Sequence, residues 1–200
     1  MPTRPQPVGR RERNKQDKLE RIIAAARELF DTYGVDAVTT QQIADKADIG
    51  TGTLFLYAKS KSELLLLVQN SSYVDALEQG RAAAEATPGV IEALLAIIRP
   101  VVDCNRTNIE NGRTYLRELV FGDPEEPHHR EALTLTIKTE TAVAAVLCRD
   151  KRIEPSDAAT LAQIVSAIMF ISMAATINAT RTVDDILDEV ADRVRVMLPR

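Results

Sequence analysis

From Ala158 to Thr180 the chain carries no charged side chain. A helix at a water-facing surface keeps a charged or polar face, so a helix without charge on any side must be covered on more than one side. The stretch also exceeds the ~20 residues that cross a bilayer. Gln163, Ser166, Ser172, Thr176 and Asn178 dilute it, however, and no basic cluster flanks its start. The reading is therefore a helix buried on two sides in a globular protein, with no membrane partner. Apolar residues make up 45% of the 200 positions and charged residues 27%, with no Trp, 8 Gly and 9 Pro. That balance gives a sizeable core and favours helices over a many-turned β fold.

Helical periodicity and cap signals order the rest. Met1 to Asn14, with Pro2, Pro5 and Pro7 and several arginines, reads as a flexible basic arm with no signal-peptide apolar run. Leu19, Ile22, Ile23, Ala26, Phe30 and Tyr33 then share one helix face, which Gly34 ends. Thr39–Gln42 is a capping box opening a short helix to Ala47. Ile49-Gly50 interrupts, with Gly50 making the turn, and Thr51 to Tyr57 is a second short helical piece. Ser60–Glu63 is another capping box ahead of the long run Leu64 to Ala86.

Further on, Thr87-Pro88 opens a helix to about Asn108 that contains Pro100, where a kink is expected. Gly112 allows a break before Arg113–Phe121, and Gly122–Glu126 separates that helix from one reaching about Lys151. Pro155 opens the uncharged helix to Thr180, and Thr182–Asp185 caps a last helix to about Met197. The fold class is all-α. Its expected parts are an arm at 1–14, a unit of short and long helices at 15–62, and a larger helical unit at 63–200.

Charge is uneven along this order. Residues 1–61 hold 11 Lys+Arg against 8 Asp+Glu, and the remainder 14 against 21, within a net charge of −4. An anionic polymer should meet the N-terminal end. The segment Thr39–Glu63 suits one: Val38, Ile43, Ala44, Ala47, Ile49 and Leu54 can hold two short helices at a steep angle around a tight turn. The second helix, nearly uncharged, would enter the major groove. Gly52 leaves room for close backbone approach, Thr51 and Thr53 offer hydroxyls and methyls, and Phe55 is either a contact or core. Tyr57 and Lys61 suit phosphate oxygens, as do Thr39 and Thr40 at the first helix's start, and Gln41 is the best long amide for a base edge.

Thr39-Thr40-Gln41-Gln42-Ile43-Ala44 through Gly50-Thr51-Gly52-Thr53-Leu54-Phe55-Leu56-Tyr57, followed by Ser60-Lys61-Ser62-Glu63-Leu64, resembles the tetracycline-repressor (TetR) family signature. The likeness spans about Leu19 to Val68. Gly50 replaces the family's usual Ser cap, and Ala58 stands where a Phe is usual. The resemblance implies a non-enzymatic, cytoplasmic transcriptional repressor, with a helix-turn-helix DNA-binding domain at 15–62 and a ligand-sensing and dimerisation domain at 63–200. It also implies a homodimer formed by the last two long helices of each subunit, bound to a palindromic double-stranded DNA operator and released by a small, mostly apolar inducer.

Ala167, Ala174 and Ala175, with the stripe Ile186, Val190 and Val194, fit that dimer. Tyr73, Cys104, Asn108, Tyr115, Phe121, Met169, Phe170 and Met173 are candidates for the inducer cavity, disturbed by the Pro100 kink. Release would be a population shift, with the helix over 61–86 as the lever. A near-complete swing in occupancy needs ~5.5 kcal/mol of preference for the released state.

No cofactor or metal is expected. Cys104 and Cys148 lack partners at ligand spacing and read as reduced thiols, and His128-His129 lacks the i, i+4 spacing of two ligands on one helix face. No nucleophile elbow, phosphate-cradling loop or distinct carboxylate pair marks an enzyme. The alternative is a helical protein-interaction module without DNA binding, which explains the apolar stripes but not the Gln41–Lys61 pattern.

Overall fold

A computed structural model describes residues 9–199, and every described regular element is a helix. In chain order they are α1 (Arg10–Tyr33), α2 (Thr40–Lys46), α3 (Thr51–Leu54), α4 (Lys61–Glu85), α5 (Val90–Arg106), α6 (Ile109–Phe121), α7 (Pro127–Leu147), α8 (Pro155–Ala174) and α9 (Val183–Met197). A 3-10 turn, Thr176–Asn178, lies between the last two. Most of the arm expected at 1–14 lies outside the described residues, and its end, Arg10–Asn14, is already the first turn of α1.

The small N-terminal layer is α1–α3 around Ile22, Ala26, Phe30, Val38, Ile43, Ala44 and Leu54, all nearly inaccessible to water. Its local geometry follows from its caps. Thr39 accepts from the Gln42 amide N–H, and the Gln42 side chain accepts from the Thr39 N–H, closing the capping box. The exit of α2 is a Schellman arrangement: Ile49 N–H donates to Ala44 O (3.1 Å) and Asp48 N–H to Asp45 O (3.2 Å). The left-handed residue this requires is Asp48, at φ 53°. The sequence assigned the turn to Gly50, which instead has extended φ and serves as the N-cap of α3. A short polar side chain tolerates the left-handed well, so Asp can hold a place normally given to Gly.

Several boundaries differ from the sequence reading. α3 stops at Leu54 and Phe55–Tyr57 form turns. α5 starts at Val90 with Gly89 as its N-cap, because the Thr87 hydroxyl is turned back to Ala83 O. α7 ends at Leu147, four residues before Lys151. α8 ends at Ala174 although the apolar run continues. Arg113 Nε from α6 donates to Ala174 O, and Arg106 from α5 donates to the carbonyls of Asn178, Ala179 and Arg181. Those guanidiniums satisfy the carbonyls that a continued helix would have used.

Gly112 is not a break but sits inside α6, whose N-cap is Asn108. Its lack of a side chain lets α6 lie against α5: a Cβ there would meet Asn105 O at 2.1 Å. Gly112→Ala should therefore lower the unfolding free energy by about 2–3 kcal/mol through overpacking, measured by chemical denaturation.

Candidate nucleic-acid interface and ligand cavity

The outer surface of α2 and α3 carries the sequence candidates. Thr39, Gln41, Gly52 and Phe55 are exposed, and Thr40, Thr51, Thr53, Tyr57 and Lys61 are half-buried. They lie along one edge, from the start of α2 to the start of α4. Several of their polar groups are engaged with one another. The Thr51 hydroxyl donates to Gln41 Oε1 (2.8 Å), and Gln41 Nε2 donates to Asp45 (2.7 Å). Lys61 Nζ donates to Asp36 O (3.0 Å), and the Tyr57 hydroxyl to Lys15 O (3.3 Å). Gln41 thereby uses one of its two N–H donors and one oxygen lone pair, and these bonds orient its exposed amide.

Apolar groups on this edge are also left uncovered. Phe55 is 44% and Leu56 83% exposed. Leu56, in the turn after α3, was not among the sequence candidates. A Cβ added at Gly52 would meet nothing within 4 Å, so no intramolecular contact requires Gly there. Ala58, in the position usually filled by Phe, is buried.

The second feature is a cavity of about 340 Å³ between α4, α5, α6, α7 and α8. Tyr73, Tyr115, Met169, Phe170 and Met173 line it, as expected for five of the eight candidates. The other three do not. Cys104 faces a smaller cleft with Arg27, Asp31 and Ser72. Asn108 caps α6, accepting from Asn111 N–H, and its amide points toward the carbonyls at the end of α1. Phe121, the last residue of α6, is 82% exposed. The missed lining includes Leu116, Leu135, Thr136, Thr139, Glu140 and Gln163. Ala132, Thr136, Thr139 and Glu140 recur at helical spacing on α7, a mixed face that was readable but carries no aromatic to draw notice.

Tyr73 and Tyr115 stack in the cavity wall with ring centroids 5.0 Å apart and planes at 19°. Burial pushes both phenols well above their ordinary range, so they act as neutral hydrogen-bonding groups. Asn105 Nδ2 donates to the Tyr73 hydroxyl (2.9 Å), and the Tyr115 hydroxyl donates to Asn70 Oδ1 (2.9 Å). Burial also raises the Cys104 thiol to about 11, leaving it protonated and unreactive at neutral pH.

The dimer candidates divide. Ile186, Val190 and Val194 on α9 are buried inside their own chain and cannot face a partner. The outward side of α9 carries charge instead, as at Asp188, Asp192 and Arg195. Ala167 is exposed and lines the cavity, while Ala174 and Ala175 are half-buried at the end of α8. The uncovered apolar stripe runs along α8 through Ile164, Ala167 and Ile171. α8 is long and apolar enough to cross a membrane by length and composition, with mean hydropathy 1.5, yet only 33% of that window is buried within the chain. His128 and His129 point apart, to Tyr57 O and Leu119 O.

Together these features define a helix-turn-helix domain joined to a helical domain with an apolar cavity. Residues 22–68 match the model of the family described as bacterial regulatory proteins, tetR family. That match runs from α1 into the first turns of α4, so the likeness to the tetR family is carried by the helix-turn-helix part of the chain.

A 76-residue stretch is 36% identical to the HTH-type transcriptional repressor KstR of Mycobacterium tuberculosis, covering 37% of this chain and 34% of that protein. The match thus spans about a third of the length of that curated relative. Over nearly the whole chain the fold is that of Thermus thermophilus FadR, a TetR-family repressor solved with lauroyl-CoA. The TM-score is 0.70 at 21% identity, with 91% of this chain and 96% of that one covered. FadR of Bacillus halodurans is similar at TM-score 0.66 and 13% identity, over 94% and 96% of the two chains.

Because nothing in the fold needs Gly52 bare, Gly52→Ala should leave stability unchanged or raise it by up to about 1 kcal/mol. The same substitution should weaken binding to a cognate duplex, and the pair of readouts is thermal melting and fluorescence anisotropy.

Proposed function

We propose that this protein is a cytoplasmic transcriptional repressor that binds a palindromic operator as a homodimer and leaves it when a small, mostly apolar molecule fills the cavity. DNA reading is assigned to residues 15–62, and sensing and dimerisation to residues 63–200. The observation that carries the reading is the exposed edge at Gly52, Phe55 and Leu56, on α3 and the turn that follows it, where a Cβ at Gly52 would meet nothing. Solvent gains nothing from a bare Gly beside two exposed apolar side chains. A groove floor with thymine methyls does.

Thr39, Thr40, Tyr57 and Lys61 are assigned to phosphates and Gln41, Thr51 and Thr53 to base edges. In a two-fold dimer the half-sites lie ~34–36 Å apart, or a multiple of that. The α8 stripe is the assigned dimer face, since the protein otherwise leaves Ile164 and Ile171 in water. The rival, a protein-interaction module, accounts for that stripe but leaves the Gly52 edge without a purpose.

The ligand's buried part should be neutral hydrocarbon, since most of the lining is apolar and Glu140 opposes a second negative charge. The lauroyl-CoA of the Thermus thermophilus neighbour has such a part, its acyl chain. Lauroyl-CoA is accordingly the first probe, and free laurate should bind more weakly.

Duplexes from the DNA beside the gene, titrated with purified protein, test the reading. Binding should select a palindrome over shuffled sequence and fall by about 10³ or more between 50 and 200 mM salt, as 6–10 phosphate contacts require. Equal affinity for palindrome and shuffled DNA at low salt would defeat it. Ile171→Asp, at a side chain 59% exposed, should give a folded monomer by light scattering with operator affinity lost.

A further inference from the structure

The cavity wall and the DNA reader are joined by a chain of side-chain hydrogen bonds. The Tyr115 hydroxyl, in the cavity wall, donates to Asn70 Oδ1 at 2.9 Å. Asn70 is 1% exposed and sits on α4. Its Nδ2 donates onward to His128 O (2.8 Å) and to a Glu131 carboxylate oxygen (3.2 Å), both in the first turns of α7. The His128 ring then bonds Tyr57 O at 2.8 Å through Nε2. A carbonyl only accepts, so Nε2 carries the proton. Tyr57 closes the turn after α3, and its own hydroxyl reaches Lys15 O on α1. Each link lies on a different element: α6, α4, α7, then the α3–α4 connection.

We infer that Tyr115, Asn70 and His128 form a relay by which a ligand against the tyrosine stack changes how firmly the recognition segment Thr51–Tyr57 is held. Asn70 is the positioning residue at its centre. Its one carboxamide serves both directions, so a Tyr115 ring pushed aside by a ligand leaves Oδ1 without its donor. A buried carboxamide that has lost a partner turns to find another, and turning withdraws Nδ2 from α7. His128 is then free to shift with the start of α7, and Tyr57 O loses its donor. The adjacent tyrosine supplies the contrast. Tyr73 is in the same wall and the same stack, but its hydroxyl accepts from Asn105 on α5, whose amide goes on to Gly112 O and not to α7 or to Tyr57.

The inference rests on reading the cavity as the inducer site, but its test needs neither inducer nor operator. Amide hydrogen exchange of the full chain reports local opening of each segment. Tyr115→Phe and His128→Leu should each speed exchange in the segment 54–60, where Tyr57 and Ala58 N–H donate to Leu54 O. The expected change is roughly tenfold, equivalent to about 1.4 kcal/mol of local stability. His128→Gln, whose amide can donate in place of Nε2, should restore the wild-type rate. Tyr73→Phe should leave the segment at its wild-type rate even where it lowers the melting temperature.

A general loosening would instead speed segment 54–60 in Tyr73→Phe as much as in Tyr115→Phe, and that result overturns the relay. Unchanged exchange in both Tyr115→Phe and His128→Leu overturns it equally. If the relay holds while lauroyl-CoA and related probes fail to release DNA, the ligand assignment falls and the connection stands.

Discussion

Seven consecutive residues of α4, Leu64 to Asn70, are buried. On a helix that run covers every direction around the axis, so this part of α4 has no water-facing side. α1, α5, α6 and α7 all pack on it. Leu64, Leu65, Leu66, Leu67 and Val68 can each contribute about 1.5–3 kcal/mol by burial, which fixes α4 as the common axis of the reader and the sensing helices. Two polar residues, Gln69 and Asn70, are carried into the interior by the same geometry. The polar connections between cavity and reader exist because Asn70 must find partners where the helix has put it.

The reading surface is built on the opposite principle. Several of its polar groups are paired within the protein, and a bare Gly and two apolar side chains stand uncovered among them. Such a surface has little to offer water and little net charge of its own. The α2–α3 angle is set by backbone bonds at Ala44, Asp45, Asp48 and Ile49, so the surface is rigid before any partner arrives.

The helices around the cavity show what a side-chain pattern carries and what it does not. Tyr73, Tyr115, Met169, Phe170 and Met173 were picked by size and adaptability, and all line the cavity. Cys104 and Asn108 were picked by proximity in sequence to an expected kink, and Phe121 by size. Sequence proximity says nothing about which way a helix face turns, and all three face elsewhere. The α9 stripe illustrates the same limit. An apolar face at helical spacing declares that something covers it, but its own core and a second copy leave the same pattern. Here Ile186, Val190 and Val194 are covered by their own chain.

Local rules acting over a few residues were fully written in the chain. The caps at Thr39, Ser60 and Thr182, the Gly34 stop, the helical class and the Gln41–Lys61 signature all depend on neighbours within a turn or two. The tertiary structure decided whatever required two distant segments to meet. That includes Gly112 as a close approach rather than a break, and the early end of α8 under Arg106 and Arg113. The link from Tyr115 to Tyr57 through Asn70 and His128 belongs with these. A hydrogen bond between residues dozens of positions apart leaves no periodicity behind, and only the packing of α4 against α6 and α7 brings its donors and acceptors within reach.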